Sequence, residues 1–202
     1  MPDRISATEH MRQAMSQYHA ISDKSWSLLA PFRKEIELSK NASLYLTGDY
    51  PASFCFVHEG LLRLLITDEK GTEYNKNFFA EGSFVGCMTA LLTNQPSRYS
   101  VTAVEDCTLV EIDHRGFRQV LKTEVDLMQY QISYLEKNWL LHKDAREIAL
   151  VQADATERYL SFCQKHADLS QRLPQYHIAS HLGITPTQLS RIRKNLASDQ
   201  PM

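Results

Sequence analysis

The sequence predicts an α+β protein: an antiparallel β domain, then a long helix, then a small all-α end. Three observations carry this. Between about Phe32 and Ile112 apolar residues recur with a period of two, punctuated by turns at Glu59-Gly60, Lys70-Gly71 and Glu81-Gly82. From Glu124 to Gln152 the spacing lengthens to alternating fours and threes. From Gln175 to Leu196 two short apolar stripes flank a glycine.

Bulk properties fit a folded, water-facing chain. Of 202 residues, 43% are hydrophobic and 23% charged, enough apolar material for a substantial core. No apolar run is long enough to span a bilayer. The opening MPDRISATEHMRQAM has no apolar signal core, so a cytoplasmic location without a membrane partner is expected. Cys55, Cys87, Cys107 and Cys163 are scattered and form no C-x-x-C pair, which predicts free thiols. The histidines form no H-x-H or H-E-x-x-H pattern, so no metal or other cofactor is expected. His58 and His114 read as hairpin or surface residues.

Residues 5–30 read as helical, with Ile21, Trp26, Leu28 and Leu29 on the apolar face and Pro31 ending the pattern. Ser22-Asp23 can cap the second half. Ile36, Leu38, Leu44 and Leu46 mark the first strands. Phe54, Phe56 and His58 alternate with Cys55 and Val57, the pattern of a strand buried on both faces. Leu61–Thr67 and Glu73–Phe79 form a hairpin around Asp68–Gly71. Ser100–Val104 and Cys107–Ile112 complete the set. About eight short strands imply a sandwich or barrel.

The stretch Gly82–Ser100 interrupts this regularity with two glycines four apart, a short helical piece (Met88–Leu92) and a polar loop around Pro96. A pocket is expected there, because glycines let backbone amides approach an anion and a helix start favours negative charge. Gly82, Phe84, Gly86, Cys87, Arg98, Tyr99 and Ser100 are its candidate residues.

Asp113–Leu121 reads as a short helix. The long helix, about Glu124–Gln152, carries two stripes. One holds Leu127, Gln131, Tyr134, Asn138, Leu141, Ala145 and Ile148. The other holds Met128, Ile132, Leu135, Trp139, His142, Arg146 and Ala149. One stripe can pack on the β domain and the other on a partner helix, which predicts a homodimer. Asp154 opens another helix, to about His166.

Gln175–Leu196 follows. Ile178, Ala179 and Leu182 face inward, Gly183 breaks the helix, and Ile184 plugs the turn. Thr185 caps the next helix and Pro186 suits its first position. Leu189, Ile192 and Leu196 form its apolar stripe. Thr185, Thr187, Gln188, Ser190, Arg191 and Lys194 are left for double-stranded DNA. Arginine pairs bidentately with guanine and glutamine with adenine, while the others suit phosphate. No acid falls between Asp168 and Asp199, so this interval carries +4 in a chain of net charge −2. A basic end on an acidic body is expected of a nucleic-acid-binding tip.

EGLLRLLITDEKG (Glu59–Gly71), EGSFVG (Glu81–Gly86) and IASHLGITPTQLSRIRK (Ile178–Lys194), in this order, resemble the CRP/FNR family of bacterial transcription regulators. The resemblance covers nearly the whole chain. It implies a cyclic-nucleotide-binding-like β-roll (double-stranded β-helix, jelly-roll-like) over 1–122, a dimerisation helix over 123–152 and a helix-turn-helix domain over 153–202. It also implies a homodimer on DNA, with RNA polymerase as a further partner.

Two departures bear on the effector. Cyclic-nucleotide binders of the family follow the second pocket glycine with a glutamate for the ribose, and here Cys87 follows Gly86. Aligned back from Ala103, their phosphate-holding arginine falls on Ser97, with Arg98 one residue late. In a strand such a slip turns a side chain to the opposite face. cAMP is therefore not the expected ligand; a different small-molecule effector, or none, is expected. The iron–sulfur branch uses cysteines near the N-terminus, and none precedes Cys55. No haem signature is present. The sequence ends at Met202, so no β-hairpin wing is expected. A ligand-binding or protein-interaction module without specific DNA binding is the competing reading. A cupin-type enzyme is disfavoured for want of histidine and glutamate ligands.

Overall fold

In the computed structural model, which describes residues 5–141, 143 and 153–198, the chain divides into two compact units. Among these residues the first unit runs to Leu64 and resumes over Phe78–Lys143. The second joins Leu65–Asn77 to 153–198.

In the first unit, Ser6 starts helix α1 (Ala7–Ser16) by accepting a hydrogen bond from Glu9 N at 3.2 Å. Met11 and Met15, four residues apart, are buried on its inner face. Ser22 starts α2 (Asp23–Leu28) in the same way. The expected helical stretch over 5–30 is therefore two helices, because the Ser22 cap restarts the chain. Pro31 lies inside a short 3-10 turn (Ala30–Phe32) rather than at a helix end. That turn needs no donor from it.

Eight strands follow: β1 (Arg33–Leu38), β2 (Ser43–Tyr45), β3 (Ser53–Glu59), β4 (Leu62–Thr67), β5 (Glu73–Phe79), β6 (Phe84–Val85), β7 (Ser100–Ala103) and β8 (Cys107–Asp113). They form two four-stranded sheets, ordered β1-β8-β3-β6 and β2-β7-β4-β5, so the barrel alternative gives way to two sheets. β3 pairs antiparallel with β8, Phe54 opposite Ile112 and Phe56 opposite Val110.

The two-sided burial expected of β3 is found. Phe54 and Phe56 join the cluster formed with the helices, while Cys55 and Val57 join Tyr45, Leu62, Leu64 and Val101 between the sheets. Each fully buried large apolar side chain contributes roughly 2 kcal/mol. Leu46 departs from expectation. β2 ends at Tyr45, and Leu46 is exposed where Gly48 (φ +97°) turns the chain. Asp49 Oδ2 accepts from Leu46 N at 2.8 Å to close that turn.

Helix α3 spans Met88–Thr93. Asp113 caps α4 (His114–Leu121), accepting from Gly116 N. Helix α5 (Val125–Leu135) continues into a π-helical segment, Glu136–Leu141. The remainder of the expected long helix, apart from Lys143, lies outside the described residues.

In the second unit, Asp154 and Glu157 form a reciprocal cap on α6 (Ala155–Lys165). Helix α7 (Ala167–Arg172) was not legible in the sequence, since its one buried side chain, Leu169, gives no periodicity. Helices α8 (Gln175–Leu182) and α9 (Pro186–Ser198) complete the unit. Phe162, Ile178, Ala179, Leu182 and Leu189 are buried.

Candidate nucleic-acid interface and effector pocket

The α8–α9 turn is closed by backbone geometry. Gly183 has φ +68°, Gly183 N donates to Ser180 O at 3.2 Å, and Ile184 N donates to Ala179 O at 3.0 Å. This double closure needs a left-handed residue, which glycine adopts without steric cost. Thr185 Oγ1 then accepts from Gln188 N at 3.2 Å, and Gln188 Oε1 accepts from Thr185 N at 2.9 Å.

Helix α9 is thereby fixed at its start. Leu189 is 1% exposed, while Thr187, Gln188, Ser190, Arg191 and Lys194 are all exposed. Gln188 has its carbonyl oxygen committed to the cap, which orients its amide. Arg193 engages the Tyr159 hydroxyl on α6. Arg191 and Lys194 are then the cations of α9 left facing solvent.

The tip of the β4–β5 hairpin belongs to this same unit. Asn75 is 5% exposed. Its backbone N donates to Ser180 Oγ at 3.0 Å, and Ser180 Oγ donates to Glu73 O at 3.0 Å. Its side-chain amide donates to His177 Nδ1 at 3.0 Å and to His177 O at 3.2 Å. His181 Nδ1 donates to Asn75 O at 3.2 Å. These contacts put His177 in the Nε2–H form and His181 in the Nδ1–H form.

Asn75 was missed in the sequence, where a lone asparagine in a strand announces nothing. Asn75→Ala removes both side-chain bonds to buried His177. A local loss of about 1–3 kcal/mol is expected. It would be read as faster amide exchange across Gln175–Leu182, with Val125–Leu135 unchanged.

The pocket candidates do not converge on one cavity. Gly82 makes a turn at φ +81°. Phe84 packs with Phe54, Phe56 and Tyr134 on the helix side of its sheet. Gly86 lies so close to Phe54 that an added Cβ would stand 2.7 Å from the Phe54 Cβ. Cys87 is 3% exposed, among the side chains between the sheets. Ser97 is buried, with Oγ donating to Tyr99 O at 2.6 Å, whereas Arg98 is exposed. Ser100 Oγ accepts from Thr47 N at 3.0 Å.

The space between the sheets is occupied by the protein's own side chains. Burial pushes the Cys55 thiol up to about 12 and the Cys107 thiol up to about 11, and holds Tyr45 protonated far above its usual range. An open cleft of about 430 Å³ lies outside, lined by Thr47, Gly48 and residues Gln95–Arg98. Cys55, Cys87 and Cys107 are buried free thiols, and Cys163 is a half-buried one.

Helix α5 and the π-helical segment that follows it have two distinct faces. Leu127 is 0% exposed, Tyr130 and Tyr134 pack with the core, and Asn138 Nδ2 donates to Tyr18 OH at 3.0 Å. Met128, Ile132, Leu135 and Trp139, the second stripe read from the sequence, are 36%, 50%, 42% and 51% exposed. Among the described residues no group of three or more metal-type ligands occurs, and no helix is long and apolar enough to cross a membrane.

Residues 35–124 match the cyclic nucleotide-binding domain family. The cAMP-activated global transcriptional regulator CRP of Salmonella typhimurium is 25% identical over 87 residues, 43% of this chain and 41% of that protein. The same-named protein of Pasteurella multocida is 23% identical over 118 residues, 58% and 56% of the two chains. The match thus spans 41% to 56% of the length of these curated relatives.

Among solved structures, FixK2 from Bradyrhizobium japonicum superposes with a TM-score of 0.70 at 16% identity, covering 82% of this chain and 85% of that one. The c-di-GMP-responsive global regulator CLP of Xanthomonas campestris gives 0.68 at 16% identity, covering 88% and 93%. Over more than four fifths of its length the chain has the fold of these two proteins.

Proposed function

We propose that this protein is a cytoplasmic, dimeric DNA-binding transcription regulator whose sensor domain answers to a small effector other than cAMP. The observation that carries the reading is the exposed face of α9. It aligns Thr187, Gln188, Ser190, Arg191 and Lys194 over one buried leucine, with no acidic residue in the surrounding interval. Such a face matches phosphate and major-groove edges better than a protein surface, which would ask for apolar anchors. The exposed stripe of α5 supports pairing with a second copy. Two α9 helices would then be offered to half-sites one helical turn apart.

The pocket chemistry supports an effector other than cAMP. Cys87 stands where a ribose-holding carboxylate would be needed, Ser97 is buried on its own loop, and Arg98 points to solvent. Calorimetric titration with cAMP is expected to give no saturable heat. Micromolar binding would overturn this part of the proposal.

For the DNA reading, affinity for a selected genomic fragment is to be followed by fluorescence anisotropy as salt rises. A steep linear fall of log affinity with log salt is expected, because each neutralised phosphate releases counterions. A protein-interaction module would show no such slope and no sequence preference.

A further inference from the structure

One polar contact of the first unit lies outside both the pocket stretch and the recognition face. His10 on α1 and His58 on β3 meet through their Nδ1 atoms at 3.0 Å. The backbone prepares the contact. Val57 pairs with Leu109 and Glu59 with Thr108, so His58 is the extra residue of a β-bulge. A bulge re-aims the side chain it inserts. The His58 ring stands 5.2 Å from the His10 ring, and the His10 ring meets Phe56 edge-on at 5.0 Å. Both histidines are half-buried.

Two Nδ1 atoms can form this bond only if one carries a proton and the other offers its lone pair. The donor ring then has a bare Nε2, and the acceptor ring has its proton on Nε2. A first added proton can enter the bare Nε2 and leave the bond intact. A second must take the accepting Nδ1. Two N–H groups and two positive charges then face each other at hydrogen-bonding distance, and the contact is lost.

The surroundings do not offset the second charge. Burial, and after it the neighbouring His58, lower His10 from its ordinary value of 6.5, while the Glu81 carboxylate and the His58 backbone raise it less strongly. Glu81 Oε1 already accepts from Gly60 N at 2.9 Å. On α1, Arg12 is paired with Asp23 and Glu9 is exposed, as is Glu59 beside His58 on β3. A group lowered by folding stabilises the native state above its unfolded value and loses that contribution as pH falls through the folded one. Neutral solution therefore favours the contact and acid opposes it.

We propose that His10 and His58 form a proton-operated clasp, which holds α1 on β3 in neutral solution and lets go when both rings are protonated. What it holds is part of the main core. Met11 and Met15 of α1 pack in one cluster with Phe56, Leu127 and Tyr130. Those apolar contacts keep α1 in place, so the clasp sets how often the helix opens and not whether the domain folds.

The test uses the full chain. Protection of the Ala7–Ser16 amides against hydrogen exchange, corrected for the intrinsic rate, should fall about tenfold between about pH 7.5 and about pH 5, roughly the worth of one hydrogen bond. The amides of β8 are the internal reference and should keep their protection. In His58→Gln, whose side chain is polar but does not titrate, the fall in α1 should disappear. Proton NMR reads the same coupling in the unaltered protein. The His10 and His58 ring signals should each titrate in two steps, as interacting sites do, and His10 should titrate in one step in His58→Gln. An equal loss of α1 protection in the variant would overturn the proposal. So would two independent single-step titrations in the unaltered protein. Should His58→Gln fail to fold, that titration still decides.

Discussion

Arg191→Ala is expected to lower affinity for a specific operator by about 10- to 100-fold while leaving the dimer and its thermal stability unchanged. The reasoning starts from exposure. Arg191 is exposed on α9, and the core side of that helix is held by Leu189. Truncating it therefore removes little packing. What it removes is a planar fork of donors able to grip a guanine edge, worth about 1–3 kcal/mol per bidentate pair.

Lys194→Ala is the internal control, because a phosphate contact positions without specifying. It should weaken all sequences alike and reduce the salt slope by about one. Fluorescence anisotropy on the selected site and on a scrambled site separates the two patterns. Unchanged specific affinity in Arg191→Ala would move the reading face elsewhere. Arg193 is a poorer choice for this test, since it is engaged by Tyr159 and its loss would disturb the α6–α9 contact.

What the sequence made legible follows from how local each signal is. The α8–Gly183–α9 turn was readable because its requirements lie within a dozen residues: a left-handed glycine, a threonine cap, a proline at the first position and a three-four apolar stripe. All four appear in the structure as expected. The double burial of β3 was readable because Phe54–Val57 has no polar member.

The Asn75 network was not readable. It joins positions more than a hundred residues apart, and neither Asn75 nor His177 carries a pattern in its own neighbourhood. The His10–His58 contact was equally silent, because its members lie 48 residues apart on α1 and β3. The pocket falls between these cases. The glycines were visible, but Phe84 and Cys87 belong to clusters on opposite sides of the sheet. Only pairing of β6 with β3 decides that.

Ile132→Lys is expected to convert the proposed dimer into a monomer at micromolar concentration without unfolding the chain. Ile132 is 50% exposed at the middle of the stripe Met128, Ile132, Leu135 and Trp139, whereas the opposite face of α5 is anchored by Leu127, Tyr130 and Tyr134. Within one chain the substitution therefore costs little, and circular dichroism should be unchanged. Across a two-fold interface the same residue occurs twice, so one substitution brings two ammonium groups toward the same apolar seam. Burying either without a partner is prohibitive. Trp139→Ala should act in the same direction more weakly, as loss of a large aromatic anchor costs about 2 kcal/mol or more at such contacts.

Sedimentation velocity reads the oligomeric state, and operator binding reads its consequence. A monomer would hold one half-site, so affinity should fall by orders of magnitude while the salt slope falls by about half. The two defects differ in kind from that of Arg191→Ala, which keeps the dimer. A dimer that persists in Ile132→Lys would place the interface on another surface and sever α5 from the arrangement of the two reading heads.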